Sequence, residues 1–138
     1  MARKPTQVDI TGWRFAQQVW GSNGPTRDEF VNWVRRFLTS RRVFIDKVEI
    51  EFKRTHKPIG SESRRIWGCA GMTKVSVFPW GWSLMTDAQM EGVVAHELFH
   101  ICCRAKGLKY DWTVPYYSRP EEVEAFRIGG RTEHRRIK

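Results

Sequence analysis

The sequence has little cysteine: three residues, Cys69, Cys102 and Cys103. An odd number with two adjacent makes no disulfide framework, and the lack of any Cys-x-x-Cys pair excludes a cysteine-based zinc finger. Reduced, partly buried thiols in a cytosolic protein are the expectation. No stretch approaches the roughly 18 apolar residues that a membrane span needs, and the opening MARKPTQVDITGW holds no apolar signal-like segment. A cytoplasmic chain with no membrane partner is therefore expected. Internal repeats, low-complexity tracts and convincing linkers are missing as well. Negative charge is scarce, with 15 Asp and Glu against 24 Lys and Arg and a formal net charge of +9. That excess favours acidic partners, nucleic acid among them, although no DNA-binding motif accompanies it.

At 138 residues the chain reads as a single domain, residues 1–138, with an irregular lead-in over 1–25 and a basic tail over 131–138. Hydrophobic residues make up 41% and aromatics 13%, enough for a core without disulfide staples. Within the lead-in, Trp13, Phe15, Val19 and Trp20 suit a short helix ending near Gly21. Thr26 and Glu29 form a T-x-x-E capping box, and Phe30, Val31, Trp33, Val34, Phe37 and Leu38 follow at helical spacing. Arg35, Arg36, Arg41 and Arg42 fall on the other side, where a solvated face is the plainer reading. Val48, Ile50 and Phe52 alternate with Lys47, Glu49 and Glu51 as in a half-buried strand. His56 opens a loop. Two short strands, 64–70 and 73–79, break near Gly71, and Trp80 and Trp82 lead on to a second capping box, Thr86 to Gln89. The helix that follows ends at Gly107. A third capping box, Ser118 to Glu121, opens a last helix with Pro120 in its first turn. The expected fold is α+β: a small three-stranded, mostly antiparallel sheet packed on an N-terminal helix and on the helix over 87–106, followed by a further helix.

That penultimate helix contains VVAHELFHICC, residues 93–103. Positions i and i+4 share a helix face, so His96 and His100 project together and can offer two imidazole nitrogens to one zinc ion. Glu97 lies about 100° round from His96, beside such an ion, where its carboxylate can take a proton from zinc-bound water. Met90, Val94, Leu98, Ile101 and Cys102 sort to the opposite side. A shuffled chain of this composition would spell H-E-x-x-H on the order of once in a hundred times. Zinc needs a third protein ligand. Glu122 is the first choice, because Ala125 and Gly129 share its stripe and small residues there allow two helices to approach; Glu121 is second and His134 third. For the donor that stabilises an oxyanion, Tyr117 is chosen from a set that includes Tyr110, Tyr116, Arg127 and His134. Cys103 lies near the histidine stripe and is read as packing behind it.

HELFH followed by EEVEA resembles the gluzincin metallopeptidases, and more narrowly is similar to the minimal ImmA/IrrE-type and phage-encoded ones. The resemblance covers roughly residues 26–130. It implies a zincin-like fold, a Zn2+ cofactor, His96, His100 and Glu122 as ligands, Glu97 as general base, and a phage or bacterial source. It also implies that the strand over 73–79 is a sheet edge to which a peptide could add. The position after Ala125, often Asp or Asn in that pattern, is here Phe126.

Three functions compete on this reading. The first is a zinc metalloendopeptidase acting on a protein or peptide substrate. The second is a DNA-associated protease resembling the Spartan-like proteins, which would favour His134 as a ligand. The third is a non-enzymatic basic nucleic-acid-binding protein with structural zinc. Oligomeric state, substrate and cleavage preference are not written in the sequence.

Overall fold

The computed structural model describes residues 4–53, 68–77 and 87–133. The chain runs β1 (Gln7–Thr11), α1 (Trp13–Trp20), α2 (Arg27–Ser40), β2 (Lys47–Phe52), β3 (Gly68–Ala70), β4 (Lys74–Val77), α3 (Asp87–Ala105) and α4 (Pro120–Glu133), with short 3-10 turns at Gly21–Asn23 and Tyr116–Ser118. His56, Trp80, Trp82, Thr86 and His134 lie outside the described residues, as does the basic tail beyond Glu133.

The strands form one sheet in the order β1-β2-β4-β3. Three of them, β1, β2 and β4, run parallel, with Ile10 opposite Ile50 and Ile50 opposite Val75. Only the short β3 runs antiparallel, against β4. The expectation of a mostly antiparallel sheet is therefore wrong, and the reason is connectivity. β1 returns to β2 through the two helices α1 and α2, and a crossover of that length joins parallel strands, whereas antiparallel neighbours need only a tight turn. Among the described residues, the tight turn between antiparallel neighbours is at Gly71, whose N–H donates to the Lys74 carbonyl at 2.8 Å. Two further expectations are corrected. Residues 7–11 are a strand rather than irregular lead-in. The strand expected at a sheet edge over 73–79 is internal: β4 lies between β2 and β3, and the edges are β1 and β3.

Local chemistry explains the elements. At the start of α2 the Thr26 hydroxyl accepts from the Glu29 N–H at 3.1 Å, and the Glu29 carboxylate accepts from the Thr26 N–H at 2.9 Å. Each satisfies a backbone donor that the first helical turn leaves unpaired. Gly12 joins β1 to α1 with φ of 79°, and a Cβ there would lie 2.2 Å from the Phe52 carbonyl oxygen, so only glycine fits. β2 buries Val48, Ile50 and Phe52 on one face. Trp13 and Trp20 meet Phe30 at 5.4 and 5.6 Å between ring centroids, and Phe52 joins them at 5.9 Å from Phe30. Burying a side chain as large as Phe30, Leu38 or Ile50 contributes about 1.5–3 kcal/mol each.

α3 lies against β3 and β4, and α4 lies against α3. Met90, Val94, Leu98 and Ile101 are fully buried in the core. No described helix is long and apolar enough to cross a membrane. The arginines of α2 and its C-cap are not all solvated. Arg35 Nε donates to the Thr6 carbonyl at 2.9 Å, and Arg41 Nη1 donates to the Phe37 carbonyl at 3.2 Å while its guanidinium covers the Phe37 ring.

Candidate metal centre

The site forms where α3 and α4 touch. Small residues set the distance between them. Ala125 is fully buried, and a Cβ on Gly129 would lie 2.9 Å from the Gly92 carbonyl oxygen and 3.5 Å from His96 Cβ. At that separation a carboxylate on α4 reaches the imidazoles of α3. Glu122 is only 3% exposed, and its Oε1 lies 3.1 Å from Nε2 of both His96 and His100.

These three side chains offer one ligand atom each, all within 4.8 Å of one another. Four ligands around an ion at bonds of about 2.0 Å would be about 3.3 Å apart, close to the two separations that Glu122 makes. Two imidazole nitrogens and one carboxylate oxygen are donors that suit a first-row divalent ion. The donor set does not by itself select zinc.

Glu97 is 6% exposed, with Oε1 3.7 Å from His96 Nε2. Burial raises its pKa, against the pull of His96 and His100. Glu122 goes the other way. Burial opposes its charge, but hydrogen bonds from His100, His96 and Tyr110 outweigh that and hold the carboxyl well below the usual range. Burial would likewise favour a neutral His100, yet its bonds to Glu122 and Glu121 win and push its pKa up to about 9. Two neighbouring carboxylates of one helix thus behave as one acceptor pair facing the α3 imidazoles.

Glu121 has a task that differs from the sequence expectation. The sequence pattern suggests a capping box with Ser118, but α4 starts one residue later: the Arg119 carbonyl accepts the first helical bond, from Val123 N–H at 2.9 Å. Glu121 Oε2 lies 2.6 Å from His100 Nδ1, and Arg104 Nη2 donates to its Oε1. A ligand histidine is commonly held in this way by a carboxylate on its other nitrogen. The clue was in the sequence: Arg104 follows His100 by one helical turn, so both face α4 and call for an anion there. Cys103 is buried beside Glu121, and burial first, then the Glu121 charge, pushes its thiol up to about 11.

The tyrosines separate. Tyr110 donates to Glu122 Oε2. Burial and Glu122 push its phenol up to about 12. Tyr116 is raised by burial first and then by the charges of Glu122 and Glu97. Tyr117 is 73% exposed and stacks on Phe126 at 5.9 Å. Phe126 in turn packs edge-on against the His96 ring at 4.6 Å, so an aromatic contact borders this ligand from the position where Asp or Asn was noted. Tyr110 and Arg119 carried no periodic signal that would have placed them here, since both precede α4 in a loop, whereas Phe126 follows Glu122 by four residues and shares its helix face. Arg127 pairs with Glu124 on its own helix.

No protein-family model, curated protein or solved structure matches this chain.

Proposed function

We propose that this chain is a zinc-dependent metallopeptidase of the gluzincin type, with His96, His100 and Glu122 as ligands and Glu97 as general base. The observation that carries the reading is the buried Glu97 carboxylate beside a three-donor cluster of two histidines and a glutamate. A zinc ion in that cluster would supply Lewis acidity and make water a competent nucleophile near neutral pH. Glu97 takes the proton of the attacking water at its carboxylate and returns it to the leaving amine. Tyr116, whose phenol feels both Glu122 and Glu97, is better placed than the exposed Tyr117 to donate to a developing oxyanion.

The DNA-associated reading draws support from the charge of +9. Arg35 and Arg41 lend it less, since both bind main-chain carbonyls.

The experiment is metal content and peptide hydrolysis on the same preparations. The expected result is one zinc per chain, lost in His96→Ala and Glu122→Ala and kept in Glu97→Gln, with hydrolysis in Glu97→Gln down roughly 10²–10⁴-fold. Zinc-loaded wild-type protein that hydrolyses no protein or peptide at any pH between 5 and 9, and binds DNA equally well as Glu97→Gln, would move the non-enzymatic reading ahead.

A further inference from the structure

We infer that Tyr110, oriented by Arg119, is a positioning residue that makes Glu122 a single-oxygen ligand, presenting Oε1 to the ion and withholding Oε2. The inference deepens the proposed reading of the cluster as a metal site and rests on it.

The two oxygens of Glu122 have different surroundings. Oε1 lies 3.1 Å from Nε2 of both histidines, and Oε2 accepts the Tyr110 hydroxyl. The direction of that last bond is settled by its neighbour. Arg119 Nη1 donates to the Tyr110 hydroxyl oxygen at 3.2 Å, and a guanidinium can only donate. The phenol oxygen is thus an acceptor on one side, and its single proton goes to Glu122. Arg119 is itself anchored, with Nε donating to the Val114 carbonyl at 2.7 Å and its guanidinium 5.0 and 5.1 Å from the Tyr110 and Trp112 ring centroids. The chain Arg119 to Tyr110 to Glu122 therefore fixes a loop residue against the second oxygen of a helical ligand.

A carboxylate that binds an ion through both oxygens uses up a position that water or substrate would otherwise take. A proton donor held at Oε2 opposes that turn of the carboxylate. Removing it frees Oε2, and the ion then gains an oxygen and loses a fixed ligand direction.

Cobalt(II) uptake separates these cases, because its visible absorption is more intense in a four-coordinate site than in a five-coordinate one. Wild-type protein is expected to give the intense spectrum. Tyr110→Phe, which keeps the ring against Trp112, is expected to give a weaker, shifted spectrum and roughly 10–100-fold lower affinity in chelator competition. Arg119→Gln should move both in the same direction by less, and it serves as the second variant if Tyr110→Phe loses the wild-type far-ultraviolet circular dichroism. Lys109→Ala, one residue earlier in the loop, should match wild type. A wild-type spectrum in Tyr110→Phe overturns the inference, whether or not affinity falls, since Tyr110 would then serve only the packing of the loop. Wild-type protein that takes up no cobalt or zinc overturns the metal-site reading itself, and the inference with it.

Discussion

Gly129 and Gly130 are adjacent in α4 and should respond to alanine in opposite ways. In a helix interior, alanine is favoured over glycine by about 0.5–1 kcal/mol, through the entropy glycine loses on folding. A Cβ on Gly130 meets nothing within 4 Å, so Gly130→Ala should gain most of that. A Cβ on Gly129 would stand 2.9 Å from the Gly92 carbonyl oxygen, which is backbone and cannot swing away. Helices α3 and α4 must part by a few tenths of an ångström, and overpacking of this kind costs about 1–3 kcal/mol. The net for Gly129→Ala is a loss of about 0–2.5 kcal/mol, and the difference between the two variants is about 1–3 kcal/mol. Thermal unfolding of metal-free protein reads this directly. At about 4 °C per kcal/mol for a chain of this size, the two midpoints should differ by about 4–12 °C. Metal affinity supplies a second reading, because only Gly129→Ala moves Glu122 away from the histidines. Equal stabilisation by both substitutions would refute the close approach of α3 and α4, and with it the basis for Glu122 as a ligand.

Glu121→Gln should lower zinc affinity by roughly 10–100-fold in chelator competition, since the carboxylate at His100 Nδ1 is lost. In metal-free protein His100 keeps its proton up to about pH 9, so zinc binding at pH 7.5 should release close to one proton and give apparent binding enthalpies that vary with the ionisation enthalpy of the buffer. The same shift links to stability: the folded value exceeds the ordinary histidine value of 6.5, so the His100 contribution is full below that value and is lost as pH rises through about 9. Chelator-treated protein should accordingly show a greater fall in unfolding temperature between pH 7 and 9.5 than His100→Ala does. Thr26→Ala should cost about 1 kcal/mol in denaturant unfolding, because the Glu29 N–H loses its acceptor.

The parts of the fold legible in the sequence are those set by near neighbours. The α2 capping box, the alternation of Val48, Ile50 and Phe52, and the break at Gly71 each depend on residues within a few positions, and the structure contains all three. His96 and His100 share a face by spacing alone, and the small residues of α4 pointed to Glu122; the structure brings these three together. Strand direction was not legible, because it is decided by what lies between β1 and β2 rather than by either strand. β1 itself offers only Val8 and Ile10 as apolar residues, too short a pattern to stand out from a lead-in. Glu121 was misassigned through competition. A cap with Ser118 is a local option, but charge-assisted bonds to His100 and Arg104 are roughly twice as strong as neutral ones and exist only once α4 has docked. Tyr110 and Arg119 sit in a loop whose path no periodicity describes.

Helix α4 packs chiefly on α3 and on the short 3-10 turn before it. Its carboxylates therefore reach two imidazoles that the sheet-backed helix α3 already holds. Docking of the last helix and filling of the three-donor cluster are then one equilibrium seen from two sides. An ion that gains its third ligand only when α4 is seated must favour the seated helix by the same factor. Zinc concentration would set how often the C-terminal helix is in place, and hydrogen exchange along α4 would report free zinc as faithfully as any dye.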